Sequence, residues 1–491
     1  MGVSLSPSSI LSGQGLNVSS LVQQIIASQS GEMTVWQNQQ TTLATQNGLL
    51  EGMNNNLTNL QTAVAALADP TGVLTAQAAT SSQPDVVTAT AASTAISGTH
   101  QIVVSSLATT GTLYTDPIAA GANTSFLSSG QTTGDIQIQV GGATGATRDI
   151  AITQGSNDTL TTLASYINTQ STTNGWGVTA SVVSDATGSR LSLQSQNSGT
   201  SGALATVANS NTSLTFDTPV GGTNAALTID GVPFSSTSNT VTGAIQGVTL
   251  NLISQSTGSP AQSSQLTVGP DTSQITSAIN NFVSAYNTVI STINTQYVVD
   301  PTGSIPAPPL EGDVSLRGLQ SSLLADAGFA VGGNSGLVNL ASMGINMNND
   351  GTLTVGSTPQ TDSNTPGQTF AQVLSANPSA VLNFFQNATA TGFANNFNAD
   401  LTSLTSPTQG PLSVELTQNQ AEQADLTTTI SNFQTQLTTE TTALTAQYDA
   451  VNASLQSYPL LLQLTTETLA SMSSSGSTST GASSPTLTSG L

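Results

Sequence analysis

Few side chains in this sequence are suited to catalysis or metal binding. Lysine and cysteine are absent, and His100 is the only histidine. Without lysine there is no Walker A phosphate loop and no Schiff base. Without cysteine there is no disulfide, no thiol nucleophile and no cysteine-ligated zinc site. A catalytic His100 would need a nucleophile, and no Gly-x-Ser-x-Gly motif supplies one, so we interpret it as a surface or strand-edge histidine.

One short motif is similar to the first half of a calcium-binding loop. Asn346, Asn348 and Asp350 alternate and are followed by Gly351. The acidic residue expected at loop position 12 is replaced by Ser357. Because Asn-Asp-Gly is also a strong hairpin-turn sequence, we predict a turn here. The sequence therefore predicts no metal and no cofactor.

The low charge excludes further classes of protein. Only 6% of the 491 residues are charged, against about 25% in an average protein, and the net charge is −22. Three arginines cannot neutralise a row of phosphates, so we expect no nucleic-acid partner. No run of about 18 apolar residues occurs, which predicts no membrane insertion. The first ten residues lack the basic and apolar regions of a secretory signal peptide.

Helical periodicity marks both ends and the middle of the chain. Apolar residues recur every seven positions in residues 18–67, after residue 272 and in residues 414–469, as in a coiled-coil seam. Helices with such stripes bury them against one another. The predicted stem core consists of Leu43, Leu50, Leu57, Ile279, Phe282, Tyr286, Val289, Ile293, Ile430, Leu437 and Leu444.

The region between these helices has the two-residue period of β-strands. Runs such as Ile136, Ile138 and Val140 alternate with polar residues, and turn-forming residues separate them. One short helix interrupts the strands, with Leu160 on its apolar face and Asp158 as candidate N-cap.

We therefore predict an α+β protein with a long helical coiled-coil or bundle stem, built from both chain ends and a middle segment, and two inserted β-rich head domains. The predicted segments are a flexible N-terminus (1–17), N-terminal stem helices (18–74), the first part of a head domain (75–108), a second, inserted head (109–223), the second part of the first head (224–271), a middle helical stem segment (272–413), a C-terminal stem helix (414–470) and a disordered tail (471–491).

Four stretches in order resemble the bacterial flagellar filament cap family, also called the flagellar hook-associated protein 2 family. Residues 13–22 resemble the start of the family, with Asn17 in place of its usual Asp. Residues 158–193 resemble a repeat named for an Ile-Asn pair, here Ile167-Asn168. Residues 227–252 and 310–353 resemble its C-terminal region.

The resemblance implies a structural protein, not an enzyme. Such proteins pass unfolded through the flagellar export apparatus, assisted by a chaperone and without a cleaved signal peptide. They form a homo-oligomeric ring, near a pentamer, at the extracellular tip of the flagellum. Their heads form a plate, their terminal helices contact flagellin, and incoming flagellin folds and inserts beneath the plate. Some members also contribute to cell adhesion.

The segments nearest the flexible ends are the predicted contacts with partners and neighbouring subunits. The family's terminal helices are usually rich in Lys, Arg and Glu, whereas these are not, so we expect apolar, amide and hydroxyl contacts. The predicted residues are Val18, Leu21, Val22, Ile25, Val451, Leu455, Tyr458 and Leu462.

Two other functions are compatible with the residues. The first is another flagellar axial or adhesive protein, such as a hook–filament junction protein or a flagellin relative. The second is an extracellular glycan-acting enzyme, because a pair of catalytic carboxylates cannot be excluded by counting.

Overall fold

The structure, a computed structural model, describes residues 17–475 apart from 259, 299–300, 303, 305, 361–365 and 388. Within these residues the fold is α+β, as the sequence predicts: long helices come from both ends and the middle of the chain, and most strands lie between them. Residues 1–16 of the predicted flexible N-terminus and residues 476–491 of the predicted tail lie outside the described residues.

The described residues contain nine α-helices and sixteen strands. The helices are α1 Val18–Gln29, α2 Gly31–Ala68, α3 Leu160–Asn174, α4 Thr272–Thr295, α5 Val314–Ala327, α6 Phe370–Ala376, α7 Pro378–Phe385, α8 Phe393–Leu404 and α9 Pro411–Ser475. The strands are β1 Gln77–Ser81, β2 Val87–Ala91, β3 Gly98–Ser106, β4 Thr110–Tyr114, β5 Thr133–Val140, β6 Ala146–Thr153, β7 Val178–Asp185, β8 Gly188–Ser198, β9 Leu204–Ser210, β10 Ala225–Ile229, β11 Val232–Ser236, β12 Thr240–Ile245, β13 Val248–Leu252, β14 Ser264–Pro270, β15 Ile345–Met347 and β16 Leu353–Val355.

The structure has two helices where the sequence predicts one (18–67), because the helix is interrupted at Ser30. The Ser30 hydroxyl donates to the carbonyl of Ala27 at 3.0 Å, a local bond that competes with the helical pattern. The next residue, Gly31, has low helix propensity. Helix α1 therefore ends at Gln29 and α2 begins at Gly31.

The last helix is longer than predicted at both ends. It begins at Pro411, which is tolerated in a first turn because the amide there has no helical partner. It also includes residues 471–475, which we assigned to the disordered tail. There the hydroxyls of Ser471 and Ser473 donate to carbonyls three residues earlier, so these polar side chains are satisfied within the helix.

The stem has one continuous hydrophobic core formed by α2, α4 and α5–α8 together with the start of α9. Its centre is aromatic. Phe393 of α8 lies with ring centroids 5.5–5.6 Å from those of four other phenylalanines, Phe282, Phe384, Phe385 and Phe397. Helix α8 is absent from the sequence prediction, yet it supplies this centre.

The first head has its own hydrophobic core and is assembled from both sides of the insertion. Its larger sheet has the order β1-β14-β3-β10-β11 and its smaller sheet the order β12-β13-β2. Strand β14 pairs antiparallel with both β1 and β3, so that Val268 faces Ala79 on one side and Gly98 on the other. The chain must therefore return from the insertion to complete this sheet.

The second head contains the sheets β4-β8-β7 and β6-β5-β9 and the helix α3 around a separate core. The N-cap of α3 is Thr159, not Asp158 as predicted. The Thr159 hydroxyl accepts from the N–H of Thr162 at 3.3 Å, whereas Asp158 Oδ1 accepts from the N–H of Gly155 at 3.1 Å. Asp158 thus stabilises the preceding turn.

Candidate partner-binding surface on the helical stem

The predicted stem residues fall into two groups. Seven are fully buried in the stem core: Leu50, Leu57, Ile279, Phe282, Tyr286, Val289 and Ile293. Outside this core, Leu43, Ile430 and Leu437 are buried and Leu444 is half-buried. The second group belongs to the part of the stem where α1 and the first half of α2 pack on α9. We call residues 18–47 and 423–455 the stalk.

The stalk helices run antiparallel and are joined by hydrogen bonds between amide, hydroxyl and carboxylate groups. Gln29 Nε2 donates to Glu440 Oε1 at 2.8 Å, and Gln40 Nε2 donates to Thr427 Oγ1 at 2.6 Å. Residue numbers rise along one helix as they fall along the other, which establishes the antiparallel direction.

An edge-to-face ring pair fixes the middle of the stalk. The centroids of Trp36 and Phe433 are 5.3 Å apart with an interplanar angle of 86°. Among the described residues we find a single ion pair, and it lies in the first head. The stalk is therefore held by apolar contacts and by hydrogen bonds in which at most one of the two partners is charged.

The N-terminal partner residues are less accessible than predicted. Val18 and Val22 are buried, with 7% and 2% of their surfaces exposed, and Leu21 and Ile25 are half-buried. Because α1 packs on α9, the apolar face that we expected to be unpaired is largely covered within the chain. Val18 and Val22 are therefore not open to a partner in the chain as described, and the partner role of the N-terminal residues stays a prediction.

The C-terminal partner residues are much more exposed. Val451 is 48%, Tyr458 66% and Leu462 57% exposed, whereas Leu455 is half-buried. The seven-residue spacing by which we chose these residues did not include the neighbouring leucines, although the sequence Pro459-Leu-Leu-Leu-Gln-Leu shows them directly. The exposed leucines of this run are Leu460, Leu461, Leu462, Leu464 and Leu469, each 57–71% exposed. We call residues 458–469 the C-terminal apolar segment.

Two pairs of carboxyl groups connect α5 to neighbouring helices. Burial, together with the adjacent Asp400 of α8, raises the pKa of Asp326 to about 8. Burial, together with the adjacent Asp313 at the start of α5, raises the pKa of Glu415 on α9 to about 7. Asp326 Oδ2 and Glu415 Oε2 are buried and accept no hydrogen bond from an amide or hydroxyl. A proton shared within each pair would satisfy them.

His100 contacts a carboxylate at the surface of the first head. Its Nδ1 lies 2.8 Å from Asp230 Oδ2. The N–H of Gln101 and the His100 ring together hold the pKa of Asp230 below its usual range. Strand β3 lies inside its sheet, so the strand-edge alternative is wrong. The pair borders a cleft of about 530 Å³ that is also lined by Ile96, Val232 and Phe234.

The calcium-like motif is a hairpin turn, as predicted. It joins β15 to β16, and the N–H of Asn348 donates to the carbonyl of Thr352 at 2.7 Å. Asp350 Oδ1 accepts from the N–H and the hydroxyl of Thr352 at 3.0 and 2.6 Å. The carboxylate therefore stabilises the turn. No group of three or more potential metal ligands occurs in the part of the chain that the structure describes.

Helix length and hydropathy also bear on the membrane. None of the described helices has an apolar stretch sufficient to cross a bilayer.

A helical stem that carries two β-rich heads, with exposed apolar surface at one end, is typical of an assembly protein that works through contacts. The profile described as "Flagellar hook-associated protein 2 C-terminus" matches residues 222–458. The profile described as "Flagellar hook-associated protein 2 N-terminus" matches residues 14–111. The chain belongs to the flagellar hook-associated protein 2 family. Both profiles leave out residues 112–221, which make up most of the second head.

Individual relatives agree with this assignment. A B-type flagellar hook-associated protein 2 of Pseudomonas aeruginosa is 33% identical over 288 residues, which is 53% of this chain. The match spans 58% of that relative's length. The flagellar hook-associated protein 2 of Escherichia coli K12 is 27% identical over 359 residues, 69% of this chain and 73% of that protein.

A solved structure shares the architecture. The crystal structure of the D1-D2-D3 domains of the flagellar cap protein FliD from Escherichia coli is 26% identical to this chain, with a TM-score of 0.56. The superposition covers 75% of this chain and 99% of that one. The stem core and both heads described above are therefore compatible with a known cap-protein fold.

Proposed function

We propose that this chain is a structural cap at the distal, extracellular end of the bacterial flagellar filament. Copies of the chain form a ring, near a pentamer, and promote the folding and insertion of exported flagellin. The observation that carries the proposal is the likeness to the Escherichia coli cap protein across stem and heads, with 99% of that chain covered. No catalytic step is part of this function, and no cofactor is needed.

The stem surfaces have different roles in this proposal. The C-terminal apolar segment contacts flagellin or a neighbouring subunit, because several of its leucines are exposed in the isolated chain. Large exposed apolar surface marks an interaction site in soluble proteins. The half-buried Leu21 and Ile25 contribute to the edge of this contact, while Val18 and Val22 hold α1 on α9.

The polar stalk suits terminal helices that must shift against each other as each flagellin is added. Its side-chain hydrogen bonds are between groups such as Gln40 and Thr427, which exchange with water at little net free-energy change. The domain limits given above belong to the same proposal. We also propose three partners, namely flagellin, the flagellar export apparatus and its chaperone.

A deletion strain tests the function. Loss of a cap releases unpolymerised flagellin into the medium and leaves short or missing filaments, and the full-length chain restores them. A strain that still builds filaments would instead favour an adhesive protein. Antibody labelling of filaments by electron microscopy gives a second readout, because label along the shaft or at the hook contradicts a tip location.

A further inference from the structure

The two heads meet at a junction made largely of backbone. The chain leaves the first head near Ala108 and returns to it near Asn224. Between these points, the N–H of Thr109 donates to the carbonyl of Thr223 at 2.9 Å. The N–H of Gly199, in a loop of the second head, donates to the carbonyl of Thr109, also at 2.9 Å. The two connecting segments and this loop thus form one hydrogen-bonded unit.

A second set of bonds joins the loop of the second head to the first head. Ser198 Oγ donates to the carbonyl of Thr237 at 2.8 Å, and the N–H of Thr200 donates to Asn224 Oδ1 at 2.8 Å. Both acceptors lie on the first-head side of the junction. The bond to Thr237 lies away from the connecting segments, whereas Asn224 lies where the chain returns to the first head.

The first head also holds the exit of the chain with one side chain. Asn239 Nδ2 donates to the carbonyl of Ala108 at 2.9 Å, and Asn239 Oδ1 accepts from the N–H of the same residue at 2.7 Å. This two-point attachment fixes the direction in which the chain leaves the first head.

Two glycines allow the backbones to approach this closely. Gly199 has φ +73°, and a Cβ there would lie 2.6 Å from Thr237 Cα. A Cβ on Gly222 would lie 2.4 Å from the carbonyl oxygen of Gly199. Real Cβ atoms do not come so near backbone atoms, and glycine alone avoids the clash. A side chain at either position would therefore push these backbones apart.

We propose that the two heads move as one rigid body. Independent motion is the usual expectation for domains joined by linkers, but here rotation would break the hydrogen bond between Gly199 and Thr109 and the one between Ser198 and Thr237. This inference does not depend on the cap function. If the chain is a cap, a change in the direction of the second head requires the first head to turn with it.

Spin-label distance measurement on the full chain tests the proposal. Because the sequence has no cysteine, Thr169→Cys in α3 and Thr242→Cys in β12 would be the only labelling sites. Both positions are exposed, one in each head. We expect a single, narrow distance distribution, and a broad one for the parent protein would overturn the proposal.

Two junction variants and one control complete the experiment. Gly222→Ala and Asn239→Ala should each broaden the distribution at least about twofold. The matched control is Gly221→Ala, because a Cβ on this adjacent glycine meets no atom within 4 Å. If Gly222→Ala does not fold, Asn239→Ala decides, since it removes only a side-chain attachment. Distributions as narrow as the parent's in the folded junction variants would also overturn the proposal.

Discussion

The side-chain amide of Asn168 on α3 forms two hydrogen bonds with the backbone of Ala180 on β7. Asn168 Nδ2 donates to the Ala180 carbonyl at 2.8 Å, and Asn168 Oδ1 accepts from the Ala180 N–H at 2.7 Å. Strand β7 is the outer strand in the order β4-β8-β7, so these backbone groups have no neighbouring strand. The preceding residue, Ile167, is fully buried in the core of the second head. The Ile-Asn pair therefore fills the core and covers a sheet edge.

Replacing Asn168 by Ala should destabilise the second head by about 2 kcal/mol, because two buried backbone groups lose their partner. Thermal unfolding can be followed by the fluorescence of Trp176, which packs in this head, after Trp36→Phe removes the other tryptophan. Thr169→Ala is the matched control, since this exposed hydroxyl bonds only within α3. Equal midpoints for the two variants would contradict the role assigned to Asn168.

The carboxyl pairs predict that the stem loses stability as pH rises. In the unfolded chain Asp326 and Glu415 titrate near pH 4, whereas in the fold their pKa values are about 8 and about 7. The folded chain therefore binds more protons between these limits, so stability falls as pH rises from about 4 to about 8, and a comparison of pH 5.5 with pH 8.5 detects the fall. Both groups are partly solvated, so we expect an effect of about 1 kcal/mol in helical unfolding followed by circular dichroism.

Asp326→Asn separates this cause from general charge effects. The amide is neutral at every pH and can donate to Asp400, so the variant should be more stable than the parent at pH 8.5 and depend less on pH. Asp185→Asn is the control. The Thr187 hydroxyl and N–H keep the pKa of Asp185 below its usual range, so it stays charged throughout this window. A parent protein whose melting is flat between the two pH values would refute the prediction.

The aromatic centre of the stem predicts a large effect for one truncation. Phe393→Ala should cost about 3–5 kcal/mol, because the side chain is fully buried among other phenyl rings and leaves a cavity. Val314→Ala, at a position 81% exposed, should change stability by less than about 0.5 kcal/mol. Urea unfolding of the helical signal compares the two. A Phe393 variant as stable as the Val314 variant would mean that α8 is not part of the cooperative stem.

Phe393 also shows where sequence reasoning stops. Heptad spacing over many turns placed Leu50, Leu57 and Ile279 in the core, because a long stripe can be buried only against another. Helix α8 has three turns and a short apolar stripe between asparagines, too little periodicity to predict it. Its helical state depends on tertiary packing against Phe282 and Phe384, which a local pattern does not contain.

The binding surface was harder to predict than the core. The sequence identifies Val18 and Leu462 equally well as apolar positions near the chain ends. Only the packing of α1 on α9 separates them, leaving Val18 buried and Leu462 exposed. Likewise, the low charge predicted a seam without salt bridges. It could not predict that Gln29 bonds to Glu440, because these partners are 411 residues apart and only the fold brings them together.

The stalk should be insensitive to salt. Screening weakens exposed charge pairs, and the described part of the stalk contains none between its helices. Raising sodium chloride from about 0.05 M to about 0.5 M should leave the melting of the stalk unchanged within about 2 °C, as followed by Trp36 fluorescence in a Trp176→Phe background. Under the proposed function, the assembled ring should also persist. Dissociation of ring or stalk at high salt would show that charge pairs hold them.

Polar substitution in the C-terminal apolar segment should abolish partner contact without unfolding the chain. Leu461 and Leu464 are each 63% exposed, so the double variant Leu461→Asn and Leu464→Asn removes little core packing. We expect unchanged melting of the stem, but release of unpolymerised flagellin and loss of motility when the variant replaces the parent chain. Thr465→Asn with Thr466→Asn controls for the lower helix propensity of asparagine in the same turns. Normal filaments in the leucine variant, with its protein present at parental levels, would place the essential contact elsewhere on the stem.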